Sequence, residues 1–191
     1  MWRTVSSAIL ITLACLLGHL AATDEPLVNS ATFMVAGLDI SEESTVGLLT
    51  SGASIEAARS RSQRRGVLDG RDLGRMFAWL RPNDLVWNYW VNNYLLGQNP
   101  PAFDILYWNA DTTRMTAKLH RNFLDVALRN GLVEPGGVTV LGTEIDLKRI
   151  TADSYVVAGS ADHLCPWQAC YRSGGLLGGK VRFVLSTNGH I

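Results

Sequence analysis

The sequence has little that would mark a specialised class of protein. Its 17 Lys and Arg residues balance 17 Asp and Glu residues, so no net charge draws it to nucleic acid or acidic lipid. The apolar run at residues 8–20 is too short to cross a bilayer, and there is no internal repeat or low-complexity tract. With 191 residues, 47% of them hydrophobic and 18% charged, the chain is one globular domain or part of one, which excludes disorder and multi-span transport.

Cysteine and histidine are also scarce. The three cysteines, Cys15, Cys165 and Cys170, are an odd number and form no Cys-x-x-Cys motif, which fits a reducing compartment better than a disulfide scaffold. We interpret all three as small buried apolar residues rather than as nucleophiles, since nothing near them in the sequence indicates a depressed thiol pKa. The four histidines show no metal-ligand spacing, so we expect no metal.

The apolar run near the N-terminus has two interpretations. It ends in a Leu-Ala-Ala sequence and has one positive charge before it, a layout close to that of a secretory signal. The alternative is a buried helix. Its inward positions would be Ile9, Leu13, Leu16, Leu17 and Leu20.

The chain divides into three parts. Residues 31–38 form an apolar run typical of a buried parallel strand. After residue 136, strand patterns at 138–141, 154–158 and 181–185 alternate with a helical pattern at 167–177. This alternation predicts an α/β fold with a mostly parallel sheet, into which the middle section is inserted.

Two candidate catalytic residues follow consecutive strands of the predicted sheet. Asp162 comes after the strand at 154–158, and His190 comes after the strand at 181–185. Acid and then base is the second half of the order found in α/β-hydrolases, where the carboxylate orients the imidazole that deprotonates the nucleophile. The plainer alternative is that Asp162 caps the following helix and His190 is a surface residue.

Several segments in the same order closely resemble the polyhydroxyalkanoate synthases, bacterial enzymes that polymerise (R)-3-hydroxyacyl-CoA thioesters. The resemblance runs from about residue 11 to the last residue. The segments that carry it are residues 77–97 (beginning Phe77-Ala-Trp-Leu-Arg-Pro), residues 101–114, Gly142-Thr-Glu-Ile-Asp-Leu147, Ala161-Asp-His-Leu-Cys-Pro-Trp167 and Phe183-Val-Leu-Ser-Thr-Asn-Gly-His-Ile191.

The resemblance implies a partial α/β-hydrolase fold: residues 1–40 after the nucleophile, a helical cap at 41–135, and the rest of the core at 136–191. It implies an acyltransferase that makes polyhydroxyalkanoate and releases CoA, with Asp162 and His190 as the catalytic acid and base. The CoA thioester is a substrate, so no cofactor is expected. The other implied properties are a growing polyester chain as partner, a homodimer, a cytoplasmic location at the polyester granule surface, no nucleic acid and no membrane span.

One departure from the family is informative. The family's nucleophile is a cysteine in a Gly-x-Cys-x-Gly turn, and this chain has none; the matching position is near Ser7. We therefore expect a fragment that is inactive by itself, with a buried helix rather than a signal at residues 11–22. The alternatives are an α/β-hydrolase esterase or depolymerase, which needs a Gly-x-Ser-x-Gly turn, and a non-catalytic remnant.

The predicted cap is rich in aromatic residues. We expect most of them to pack in its core, and others to line an acyl channel or a subunit contact. They are Phe77, Trp79, Trp87, Tyr89, Trp90, Tyr94, Phe103, Tyr107 and Trp108.

Overall fold

The computed structural model describes residues 2–39, 52–72, 74–75, 82–100, 113–162 and 165–187. It contains two compact units, one formed by Met1–Val5 and Ala58–His120, the other by Ser6–Ala57 and Arg121–Ile191. The domain bounds expected after residues 40 and 135 stay a prediction. No helix within the described ranges is long and apolar enough to span a membrane.

The regular elements are numbered along the chain. The helices are α1 (Trp2–Ala22), α2 (Gly52–Arg65), α3 (Ala117–Arg129) and α4 (Trp167–Gly175), with π-helical segments at Asn83–Trp87 and Trp90–Leu95 and a 3₁₀ turn at Leu147–Arg149. The strands are β1 (Ser30–Met34), β2 (Val67–Leu68), β3 (Met115–Thr116), β4 (Thr139–Val140), β5 (Thr143–Glu144), β6 (Asp153–Gly159) and β7 (Val181–Ser186).

The larger unit is built on a three-stranded parallel sheet in the order β1-β6-β7. Residues 35–152 therefore separate two strands that are neighbours in the sheet. The central strand β6 alternates between exposed and buried residues, and its buried Val156 pairs with Phe33 on one side and Phe183 on the other. The expected α/β fold with a parallel sheet and a long insertion is confirmed.

Helix α1 packs against the hydrophobic core of this unit. Ala14 and Leu17 are buried in the core, and a Cβ on Gly18 would overlap the side chain of Ile145. Leu16 is 50% exposed, so its predicted inward position is wrong. Adjacent residues of a helix point about 100° apart, so Leu16 and Leu17 face different sides. The close approach at Gly18 fixes which of these sides faces inward. Ser7 lies within the helix rather than at a strand-to-helix turn.

The strand predicted at 138–141 is not part of the parallel sheet. Residues 139–140 pair antiparallel with 143–144 in a two-residue hairpin. Leu141 and Gly142, which form its turn, have φ values of 50° and 83°, as a type I′ turn requires. A short apolar run does not distinguish a hairpin from a buried strand, which is why the sequence misled here.

Replacing Leu141 by asparagine is expected to stabilise the chain by roughly 1 kcal/mol, because Asn tolerates the left-handed region and Asn-Gly is the preferred type I′ pair. Leu141 is 88% exposed, so little packing is lost. Urea unfolding measures the change. Gly142→Ala is the matched control, and its expected effect has the opposite sign; an unchanged or lower midpoint for Leu141→Asn contradicts the prediction.

The smaller unit contains a buried pair between α2 and α3. His120 Nδ1 lies 2.8 Å from Ser62 Oγ, whose hydroxyl also donates to Arg59 O at 3.0 Å. A hydroxyl has one proton, so the Ser62 oxygen accepts from Nδ1–H. Burial, and secondarily the charge of Arg59, lower the pKa of His120.

This pair predicts a loss of stability in acid. Because the pKa of His120 is lowered in the folded state, the unfolded chain binds the proton first. The stability that neutral His120 contributes is fully present above its pKa in the unfolded chain, about 6.5, and is lost as the pH falls below that value. Urea unfolding at pH 7.5 and 5.5 should show a smaller pH effect in His120→Gln than in the wild type, and equal effects would exclude His120 as the cause.

The aromatic residues of the predicted cap do not all pack inward. Trp87, Trp90 and Tyr94 are 51%, 48% and 71% exposed, so these three belong to the aromatic residues expected to lie outside the cap core. Trp90 and Tyr94 stack on each other with ring centroids 4.4 Å apart. Their positions four residues apart on one π-helical segment bring the rings together. Phe77, Trp79, Phe103, Tyr107 and Trp108 lie outside the described residues.

Candidate active site

The candidate site lies where β6 and β7 end. The two strands are parallel and in register, with Gly159 opposite Ser186, and Ser160 N–H donates to Ser186 O at 2.8 Å. The chain therefore leaves both strands at the same edge of the sheet. Ligands and reacting groups of open α/β sheets collect at this carboxyl edge.

Asp162 is positioned by a tight turn directly after β6. Its N–H donates to Gly159 O at 3.2 Å, and its Oδ1 accepts the N–H of Cys165 at 2.9 Å. Its exposure is only 7%. The carboxylate thus holds the backbone of Cys165 just before α4; the N-cap residue of α4 is Pro166, whose side chain makes no capping hydrogen bond. The acid that the plainer alternative makes a helix cap thus bonds the backbone one residue before the N-cap position of α4, and its catalytic role stays a prediction.

His190 lies outside the described residues, so its distance from Asp162 stays a prediction. What the structure does describe is the direction of the chain that leads to it. Strand β7 ends at Ser186, beside the end of β6. An aspartate and a histidine that follow these two strands would therefore branch from neighbouring positions at the carboxyl edge of the sheet.

A second carboxylate, that of Asp39, lies beyond the end of β1. Its Oδ1 accepts from Asn130 Nδ2 at 2.9 Å, and its Oδ2 accepts from Arg172 Nε at 3.0 Å. Ser173 Oγ, on α4, accepts the N–H of Leu38 at 2.7 Å. No sequence pattern indicated this cluster, because its members are distant in the chain. It joins the end of β1 to the residue after α3 and to α4, so its role is structural.

The cysteines are where sequence reasoning missed a feature of the site. Cys165 Sγ and Cys170 Sγ are 3.5 Å apart, and the hydrogen bond between them lowers the pKa of Cys170. The expectation that no thiol pKa is depressed is therefore wrong for Cys170. A signal was present: one cysteine precedes a proline and the other lies one turn into the helix that follows. For Cys15 burial raises the pKa, in agreement with its interpretation as an apolar residue.

The described residues contain no group of three or more His, Cys, Asp and Glu side chains placed to hold a metal ion. The basic run at residues 59–65 forms part of α2, where Arg65 and Arg61 reach Asp72 at 3.0 and 4.0 Å. These arginines are exposed and paired with an acid of their own unit.

The chain belongs to the alpha/beta hydrolase fold family, whose sequence model matches residues 14–191. The parallel sheet and the strand-end position of Asp162 fit that assignment.

Within this fold, the chain is similar to poly(3-hydroxyalkanoate) polymerases. It is 57% identical over 182 residues to poly(3-hydroxyalkanoate) polymerase 2 of Ectopseudomonas oleovorans, and the match covers 95% of this chain and 32% of that protein. Poly(3-hydroxyalkanoate) polymerase 1 of the same organism is 50% identical over 181 residues, with the same coverage of 95% and 32%. The polymerase of Methylorubrum extorquens is 36% identical, covering 94% of this chain and 30% of that protein.

The resemblance noted from the sequence is thus confirmed. The chain spans about a third of the length of the curated relatives it matches. Among solved structures, a monoacylglycerol lipase of Paleococcus ferrophilus is 15% identical with a TM-score of 0.45, covering 95% of this chain and 56% of that chain.

Proposed function

We propose that this chain is the acid- and base-bearing part of an acyltransferase that polymerises (R)-3-hydroxyacyl-CoA into polyhydroxyalkanoate and releases CoA. The observation that carries the proposal is the 57% identity to a poly(3-hydroxyalkanoate) polymerase over 95% of the chain. The buried carboxylate of Asp162 after the central strand is consistent with it. The resemblance supports a homodimer at the surface of a polyester granule in the cytoplasm, with no cofactor or metal.

The proposed chemistry has two steps. His190 deprotonates a cysteine thiol, and the resulting thiolate attacks the thioester carbonyl. The bond between the carbonyl carbon and the sulfur of CoA breaks, and CoA takes the proton from His190 and leaves as a thiol. The 3-hydroxyl of the next unit then loses its proton to Asp162 or His190 and attacks the enzyme-bound acyl group. Each addition lengthens the ester chain by one unit and frees the thiol.

In this proposal the thiol of the first step comes from outside this chain. Cys165 is a poor substitute, because the hydrogen bond to Cys170 and burial raise its pKa. Cys15 lies within α1 among core residues, and burial raises its pKa too. We therefore expect no CoA release from 3-hydroxybutyryl-CoA by the 191-residue chain alone.

A chimaera tests the proposal. Residues 11–191 of this chain would replace the matching third of polymerase 2 of Ectopseudomonas oleovorans, leaving in place the Gly-x-Cys-x-Gly turn that the family resemblance implies for it. We expect the chimaera to release CoA and form insoluble polyester, with or without EDTA. Both products should disappear when the cysteine of the Gly-x-Cys-x-Gly turn is changed to alanine.

Three other outcomes would overturn the proposal. Hydrolysis of short esters without polyester would assign an esterase. A folded chimaera with no turnover of either substrate would assign a non-catalytic remnant. CoA release by the 191-residue chain alone would show that the nucleophile lies within it.

A further inference from the structure

Two thiols meet in the turn that carries Asp162. Cys165 precedes Pro166, and the Pro166 carbonyl accepts the N–H groups of Ala169 and Cys170 at 2.9 and 3.4 Å, which starts α4. This first turn brings Cys170 Sγ to 3.5 Å from Cys165 Sγ. A disulfide has a sulfur–sulfur distance of about 2.05 Å, so a shift of roughly 1.5 Å separates contact from bond.

The surroundings of the two sulfurs differ. Cys170 is fully buried, with an exposure of 0%, whereas Cys165 is partly exposed. The Cys165 sulfur also lies against the backbone after β1, where a Cβ on Gly37 would be 3.2 Å from it. A small solute therefore reaches the pair from the side of Cys165, the one of the two residues that has surface open to solvent.

The two sulfurs are held together by a shared hydrogen bond. That bond lowers the pKa of Cys170, because the accepted S–H stabilises its thiolate, while burial and the charge of Asp162 act against it. For Cys165 the same bond, and then burial, raise the pKa. Cys170 is accordingly the better nucleophile of the two and Cys165 the better proton donor.

We propose that Cys165 and Cys170 are a redox-active dithiol, which a peroxide converts to an internal disulfide. Cys170 sulfur, as the thiolate, attacks one oxygen of hydrogen peroxide; the O–O bond breaks, and the departing hydroxide takes the proton that Cys170 has given up, which leaves water and a sulfenic acid. Cys165 sulfur then attacks the sulfenic sulfur; the S–O bond breaks, the S–S bond forms, and the second hydroxide leaves with the Cys165 proton. Two thiols are oxidised and one peroxide is reduced to two waters.

Oxidation acts on the turn that holds Asp162. The N–H of Cys165 donates to Asp162 Oδ1, so a shift of Cys165 towards α4 is passed to the carboxylate. The modification site itself does not depend on the proposed polymerase activity, because its test reads the thiols and not turnover.

The test is oxidation of the reduced, folded chain with hydrogen peroxide, followed by alkylation and tryptic digestion. Both sulfurs fall in the peptide of residues 150–172, between Arg149 and Arg172. The expected result is a peptide that lacks two hydrogens, carries no alkyl group and regains both alkylation sites after treatment with dithiothreitol. Cys15, in a different peptide, should stay alkylated.

Matched variants identify the pair. Cys165→Ser and Cys170→Ser should each abolish the two-hydrogen loss, and Cys15→Ser should retain it. A second measurement needs no variant: in glutathione buffers the equilibrium constant for closing the disulfide should be at least about tenfold larger in the folded chain than in urea, since the fold raises the effective concentration of one sulfur at the other. Alkylation of both thiols to the extent seen for Cys15, a disulfide that includes Cys15, or equal constants with and without urea would overturn the proposal.

Discussion

Asp162→Asn, introduced into the chimaeric polymerase, is expected to leave the first acylation almost unchanged and to slow chain elongation by about 10²–10⁴-fold. Asparagine has the size of aspartate and can still accept the Cys165 N–H, so the turn after β6 is preserved. It cannot take a proton from the 3-hydroxyl of the incoming unit. The substitution thus removes the proton acceptor at position 162 and keeps the side chain in place.

The two steps are separable by rapid-mixing measurements. A burst of CoA equal to the enzyme concentration reports acylation, and the later steady release reports elongation. Equal losses in both phases would show that Asp162 acts by orienting His190 instead of accepting the proton.

The matched control for Asp162→Asn is Asp39→Asn. Asp39 also lies beyond the end of a strand of this sheet, but its carboxylate is occupied by Asn130 and Arg172. This variant should lose stability without changing the ratio of acylation to elongation. A selective loss of elongation there would mean that the effect is not specific to Asp162.

Gly178→Ala is expected to destabilise the chain by roughly 3 kcal/mol, the largest loss of stability we predict. A Cβ at this position would overlap the carbonyl oxygen of Lys148 and lie 2.9 Å from its carbon. Both are backbone atoms, which cannot move aside like a flexible side chain. The N–H groups of Gly178 and Gly179 also donate to Ile150 O at 3.1 and 2.9 Å, so relief of the overlap would break the bonds that lead into β7.

Gly175→Ala provides the comparison. Gly175 is the last residue of α4, and a Cβ there would have open space around it. Alanine is the better helix former by about 0.5–1 kcal/mol, so the midpoint of urea unfolding should stay the same or rise. Similar losses for both variants would show that the close approach at Gly178 is not the cause.

The parallel sheet was predictable because each of its strands is a compact apolar run. Val156 and its neighbours are rich in β-branched residues and end at Gly159, and the same pattern recurs before Ser186. Asp162 followed from that, since groups after parallel strands share an edge. Leu141 shows the limit: two residues of strand are too few for a periodic signal.

The contact between Cys165 and Cys170 could not be predicted from the same rules. It depends on how the chain turns at Pro166 into the first turn of α4, and that turn is set by hydrogen bonds to the Pro166 carbonyl. The Asp39 cluster is likewise a product of the tertiary fold, because Asn130 and Arg172 come from separate elements. Sequence patterns describe single elements, whereas these contacts arise between them.

The Asp39 cluster bears on how such chains diverge. Asp39 and Asn130 stand at the two ends of a long intervening stretch, and one carboxylate holds those ends together. Once the ends are fixed, each doubling of the stretch costs only about 0.6 kcal/mol in closure entropy. Evolution, or a protein engineer, can therefore lengthen, shorten or exchange residues 58–120, the part of this stretch in the smaller unit, while the scaffold that carries Asp162 is inherited unaltered.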